Sequence, residues 1–321
     1  MIIPSIKGDP ALDTLKDFGN IKLVYGEKGG RFPYCNTIFI DDSVQAIIDP
    51  GAGLYRLQEI NRQNKIKRVF NTHVHFDHIA YNYVFDRAKI MVNELESIYM
   101  KDPREFVWAS GTVEALGEEW IEQWLERIAR PDTPQSPYTP AYRHEWHLSM
   151  GRVDETYRWG DVFDFGHTRM EVIAAPGHTA GFSVMYFPEQ GIVYCSDIDL
   201  TAFGPLCEDS DQFITSAREV ARLDADTFIT GHETGYVSGT EFNARLDQYL
   251  DVLRLRDKRL LKKLVQPLAF EEIVKMGVFY GPRISEDEFM YIWEWNMDKQ
   301  HLQRLLTQDL VALEKGKYTR C

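Results

Sequence analysis

Val69-Phe70-Asn71-Thr72-His73-Val74-His75-Phe76-Asp77-His78 packs three imidazoles and a carboxylate into the six residues from His73 to His78. The apolar lead-in, residues 66–70, predicts a short buried strand, so the cluster begins where that strand ends. In extended chain, alternate side chains share a face, which sets His73 and His75 on one side. Neutral imidazole is the commonest metal ligand, and two on one face supply much of a tetrahedral zinc site. Asp77 and His78 follow where the chain must turn, and can aim at a second ion beside the first. Three of the nine histidines so closely spaced fit core or surface duty poorly.

Working outward, the chain has 321 residues and an apolar fraction of 44%, enough for a large α/β domain with an appendix. Its net charge of −13 opposes nucleic acid and anionic membrane on average. No apolar run reaches transmembrane length, and the start, Met1-Ile2-Ile3-Pro4-Ser5-Ile6-Lys7, does not read as a signal peptide. Cys35, Cys195, Cys207 and Cys321 lack CxxC spacing and read as reduced thiols, so the expected location is cytoplasmic.

Before the cluster, residues 21–25, 37–40 and 44–48 read as strands, the last two as a hairpin across Asp41-Asp42-Ser43. The third strand ends in Asp49-Pro50-Gly51. Asp49 has two readings, a turn former or an acceptor that orients a ligand histidine. Residues 54–64 carry helical spacing, and 89–92 another strand. From about 94 to 160 the pattern changes to a helical, aromatic-rich insertion holding five of the seven tryptophans. Within it, residues 113–129 predict one amphipathic helix, followed by a proline-rich stretch at 131–140. The tryptophans read as packing residues, with a pocket wall as the alternative.

Strands resume at 162–165, 170–174, 182–187 and 192–195, and again at 227–230 after a helix at 212–223. Three of them end in polar punctuation: Gly177-His178-Thr179, Ser196-Asp197 and Gly231-His232-Glu233. Loops held by a rigid sheet are where catalytic residues are expected. Residues 1–239 therefore form one domain, and 240–321 a helical C-terminal extension. Its stripe runs through Phe242, Leu246, Tyr249, Leu250, Leu253, Leu260, Leu261 and Leu264. Ser285-Glu286-Asp287-Glu288 predicts a capping box for a second helix, and Leu302, Leu305, Leu306 and Leu310 predict a third. A short basic hairpin near Lys315-Gly316-Lys317 ends some nucleic-acid modules, but without a basic recognition helix a lid or a homodimer contact is the better expectation.

His73-x-His75-x-Asp77-His78, with His178, Asp197 and His232 each at a strand end, resembles the metallo-β-lactamase superfamily over residues 20–235. The resemblance implies an αββα sandwich with two metals at the edge of its sheets. It assigns His73, His75 and His178 to one ion, Asp77, His78 and His232 to the other, and Asp197 as the bridge. The helical tail is similar to the glyoxalase II-like and lactamase-β-2-like branches. True zinc β-lactamases carry cysteine where Asp197 stands here. The implied cofactors are two divalent ions, zinc first, with iron or manganese acceptable to such donors.

Two such ions about 3.5–4 Å apart share one water and give a bridging hydroxide at neutral pH. Asp77 can accept a hydrogen bond from that hydroxide and orient it. No serine nucleophile is required, so Ser183 and Ser196 read as structural. The expected activity is hydrolysis of a small-molecule thioester, ester or lactone. Phosphodiester or RNA cleavage and a non-enzymatic, metal-binding regulatory role are the alternatives.

Overall fold

The computed structural model describes residues 15–129, 146–281, 284 and 287–321. Two sheets carry the fold. The first runs in chain order: β1 (Leu15–Phe18), β2 (Ile21–Val24), β3 (Thr37–Ile40), β4 (Ala46–Ile48), β5 (Arg68–Asn71), β6 (Lys89–Asn93) and β7 (Glu155–Tyr157). The second holds β8 (Val162–Asp164), β9 (Arg169–Ala174), β10 (Ser183–Phe187), β11 (Ile192–Ser196), β12 (Thr227–Thr230) and β13 (Tyr236–Ser238), ordered β13-β12-β11-β10-β9-β8.

Both faces of each sheet are covered, so the central strands are apolar without alternation. In β4, Ala46 and Ile48 face the opposite sheet while Ile47 faces a helical layer. In β11, Ile192 and Tyr194 face inward, and Val193 and Cys195 meet helices. The inter-sheet core joins Ile38, Ile48 and Phe70 to Met170, Val172 and Phe187. Outside the first sheet lie helices Leu54–Gln63, Pro103–Ala109, Thr112–Leu116 and Trp120–Ala129. Outside the second lie Ser210–Val220 and Gly239–Lys263, through Phe213, Ala217, Phe242 and Leu246. This is the expected αββα order of layers.

Several local expectations need correction. The stretch read as an insertion contains β7, which pairs in parallel with β6. Its helices therefore form the crossover that two parallel neighbours require. The single helix expected over 113–129 is two, broken at Gly117, whose φ of +102° lies outside the helical region. Trp124 is buried against Phe106 and Phe289, and the Trp159 indole donates to Ser183, so these tryptophans pack as expected. The stretch 131–140 lies outside the described residues.

In the tail, one helix, Glu288–Thr307, replaces the two expected after residue 285. Asp287 caps it by accepting from Phe289 N and Met290 N, while Ser285 and Glu286 lie outside the described residues. Leu310 falls beyond its end, after Asp309 at φ +55°. The expected basic hairpin forms as β14 (Val311–Glu314) and β15 (Lys317–Arg320). The apolar stripe of Gly239–Lys263 is consumed within the chain, on the second sheet at one end and in a small tail core around Leu260, Ile273 and Leu305 at the other. Among the described residues no helix is long and apolar enough to cross a membrane. The four cysteines are all free thiols.

Candidate metal centre

The C-terminal ends of β4, β5, β11 and β12 meet at one edge of the sandwich, because β4 with β5 and β11 with β12 run parallel. Each delivers a residue there: Asp49, the His73–His78 run, Asp197 and His232. His178 joins from the loop between β9 and β10. Gly177 makes that loop possible, since its φ is +122° and a Cβ would stand 2.3 Å from Phe213 N.

β5 stops at Asn71, so His73 and His75 lie in the loop beyond it rather than in the strand. Their shared direction survives, with Val74 between them buried in the helix-side core. His73, His75, His178 and Asp197 bring ligand atoms within 4.8 Å of one another, as do Asp77, His78 and His232. All seven residues singled out in the sequence thus converge. Asp197 faces both groups: Oδ2 is 3.1 Å from His178 Nε2, and Oδ1 is 2.9 Å from His78 Nε2 and 3.4 Å from His232 Nε2. Asp77 Oδ2 lies 3.4 Å from His232 Nε2.

The imidazoles are held from behind. His178 Nδ1 lies 2.7 Å from Leu206 O, and His232 Nδ1 lies 2.8 Å from Gly30 O and 3.0 Å from Tyr34 O. A carbonyl can only accept, so these Nδ1 atoms carry protons and in the neutral rings Nε2 keeps its lone pair. Asp49 sets His78 the same way, at 2.9 Å from its Nδ1. Ring nitrogens then face each other closely: His178 Nε2 is 3.2 Å from His73 Nε2 and 3.0 Å from His75 Nδ1, and His78 Nε2 is 3.3 Å from His232 Nε2. Such packing calls for positive charge between the rings, and the donor set suits divalent cations.

The rings are not alike in charge: against burial, Asp197 helps lift His78 and His178 above the ordinary value. Burial, with the neighbouring His78, holds His73 well below its ordinary value, and burial with His178 does so for His75. Burial opposes charge on His232 too, but Asp199 and Asp197 outweigh it and lift the ring well above its ordinary value. Asp197 is likewise buried, yet His78, His178 and His232 hold its carboxyl well below the usual carboxylate range.

Of the two readings of Asp49, the geometry carries the orienting one: it also accepts from Thr72 N and Oγ1, Tyr194 Oη and Ser196 Oγ. Ser196 is thereby committed to Asp49 and Thr72, and Ser183 to Gly181 O. Two further residues escape sequence reading. Asp199 accepts from His232 N at 3.0 Å, forms a third acidic group with Asp197 and His232, and is pushed up to about 7 by burial and Asp197. Its alternation with Asp197 was a signal. Glu96, only 1% exposed, accepts from Gly181 N at 2.7 Å and Val74 N at 3.3 Å, tying the His178 loop to the His75 loop. No local pattern announces it. Beside His75 a cleft of about 380 Å³, counted to its open mouth, is lined by Glu96, Tyr99, Phe106, Ser110, Thr179 and Glu208, among others.

A family model described as the metallo-beta-lactamase superfamily matches residues 30–232, more than half of the chain, and the chain belongs to that superfamily. Among curated relatives, a hydroxyacylglutathione hydrolase of Brucella anthropi is 36% identical over 102 residues, 31% of this chain and 37% of the relative. One from Mesorhizobium japonicum is 29% identical over 153 residues, 47% and 57% of the two chains. The chain thus spans about half the length, or less, of these relatives. A metallo-beta-lactamase family protein from Thermus thermophilus superposes with a TM-score of 0.69 at 18% identity, over 94% of this chain and 99% of that one. A beta-lactamase domain protein from Burkholderia ambifaria gives 0.67 at 14% identity, over 98% and 96%. Both likenesses concern the fold, and both run far enough to take in the C-terminal helices.

Proposed function

We propose that the chain is a dinuclear metal-dependent hydrolase of small-molecule thioesters, esters or lactones. The observation that carries this reading is Asp197, whose two oxygens face separate groups of ligands. His73, His75 and His178 would hold one ion and Asp77, His78 and His232 the other, with Asp197 between them. Zinc suits the mixture of imidazole and carboxylate best, and iron or manganese fit as well. Divalent ions bound there supply Lewis acidity and bring water to nucleophilic strength near neutral pH.

The chain's own residues do the rest. Asp77, 5% exposed, is placed to accept a hydrogen bond from the attacking water and hold it in line. Asp49, Leu206 O, Gly30 O and Tyr34 O keep the imidazoles turned so that their free nitrogens point inward. The hydroxyls of Ser183 and Ser196 are engaged elsewhere, so nucleophilic attack falls to water. The relatives named as hydroxyacylglutathione hydrolases support thioester cleavage as the first reaction to try.

The test is elemental analysis of metal-replete protein, followed by a panel of acyl-CoA, a glutathione thioester, an acyl-lactone and bis-p-nitrophenyl phosphate, with and without chelator. Close to two ions per chain and chelator-sensitive cleavage of an ester or thioester are expected. One ion or none would defeat the dinuclear site, and turnover of the phosphodiester alone would replace the bond.

A further inference from the structure

Five aromatic rings run in a row past the ligand loops. Phe76 lies 5.2 Å from Phe32, Phe32 lies 5.3 Å from Trp293, Trp293 lies 5.9 Å from Tyr280, and Tyr280 lies 6.0 Å from Phe203, centroid to centroid. Three of these rings ride on segments that build the metal centre. Phe76 sits between His75 and Asp77. Phe32 sits between Gly30 and Tyr34, whose carbonyls orient His232. Phe203 follows Asp199. Trp293 and Tyr280 come from the tail.

The row is built, not incidental. The Glu294 carboxylate, fully buried, accepts from Phe279 N at 2.9 Å and Tyr280 N at 2.7 Å. The Arg256 guanidinium, 4% exposed, donates to Phe203 O at 2.6 Å and lies 4.8 Å from the centre of its ring. Each of these two residues is thus held at its backbone by a buried polar side chain whose burial is offset by those hydrogen bonds. None of the five rings is sealed, and Phe203 is 49% exposed. The same tail helix reaches the cleft beside His75, where Asn296 donates to Ser110 O.

We propose that this row is the subsite for an uncharged, apolar arm of the substrate, aromatic or aliphatic, a reading that rests on the hydrolase function above. Aromatic walls next to a few fixed polar groups are the ordinary make-up of small-molecule sites. Charge selects the class. The neighbouring cleft includes Glu96 and Glu208 but no lysine or arginine in its lining; along the row, Arg256 is spent on Pro205 O and Phe203 O, and on the Phe32 loop Arg31 faces Glu233 at 3.4 Å. An arm that carries carboxylates of its own, such as glutathione, meets the Glu96 and Glu208 carboxylates in that cleft.

The experiment uses the metal-loaded full chain and three thioesters: acetyl and phenylacetyl thioesters of N-acetylcysteamine, and the phenylacetyl thioester of glutathione. The native chain should prefer phenylacetyl to acetyl on the shared neutral thiol, and the neutral thiol to glutathione. Trp293→Ala should lower the phenylacetyl-to-acetyl ratio of kcat/KM about tenfold, mainly through KM, the size expected for one aromatic contact. Phe203→Ala, at an exposed position that leaves folding intact, should lower it in the same sense. Trp108→Ala, exposed and outside the row, should leave the ratio unchanged. Equal ratios in native chain and row variants, or a preference for glutathione, would overturn the subsite. If no thioester is cleaved, the thioesterase reading fails separately, and the subsite is judged by calorimetric binding of phenylacetamide. That binding should weaken about tenfold in Trp293→Ala, and equal affinity overturns the proposal.

Discussion

Asp49 Oδ2 lies 2.9 Å from Nδ1 of His78, with both side chains sealed from solvent. The carboxylate fixes the ring's tautomer and turns Nε2 toward His232 and Asp197. Asp49→Asn should lower affinity for the second ion by about 10–100-fold, the usual cost of losing such a partner. Chelator competition measures it, and unchanged affinity would leave Asp49 a turn residue.

Asp197 and Ser196 are neighbours with opposite expectations. Asp197→Ala removes the oxygens that face both ligand groups, so metal content should fall at both positions and turnover almost vanish. Ser196→Ala deletes one buried donor to Asp49 and should cost about 1–3 kcal/mol of stability, with metals retained. Abolished turnover in Ser196→Ala with full metal content would demand a serine nucleophile instead.

Glu96 acts through the backbone of two loops, at Val74 N and Gly181 N. Glu96→Ala should weaken the His73, His75 and His178 group by about tenfold in metal affinity. Glu96→Gln, which keeps one accepting oxygen, should recover part of the loss. An equal fall in both variants would mean that the carboxylate matters for charge rather than for holding the loops.

Asp298, in the tail helix, is fully buried, and neither of its oxygens has a hydrogen-bond partner among the described residues. Burial first, and Glu294 second, push its carboxyl up to about 9 from an ordinary 3.8. Between those values the folded chain binds more protons than the unfolded one. The stability this contributes is complete below the unfolded value and is lost as pH rises through the folded one. Asp298→Asn cannot lose that proton, so its Tm advantage should widen from about pH 5 to about pH 8. The widening should amount to a few kcal/mol, about 1.4 kcal/mol for each pH unit over which only the folded chain holds the proton. Thermal melts at the two pH values check it, and parallel curves for the two proteins would refute it.

By itself the sequence singled out the seven candidate ligands, and the resemblance they carry implied the layer order. His73, His75, Asp77 and His78 are close in the chain, and His178, Asp197 and His232 each follow a strand whose apolar run marks it as buried, so local spacing and strand ends suffice. Asp49 was legible as a candidate for the same reason. Only the tertiary structure decided what depends on segments far apart in the chain. The stretch at 94–160 looked like an insertion because β7 is only Glu155–Tyr157, too short to register until it pairs with β6. Glu96 became a tie between loops only once Val74 and Gly181 stood on either side of it. Phe32, Phe76, Phe203, Tyr280 and Trp293 form a row from segments up to 261 positions apart, from Phe32 to Trp293. No periodicity links such residues, because their proximity is set by how the tail helix packs across the edge of the two sheets.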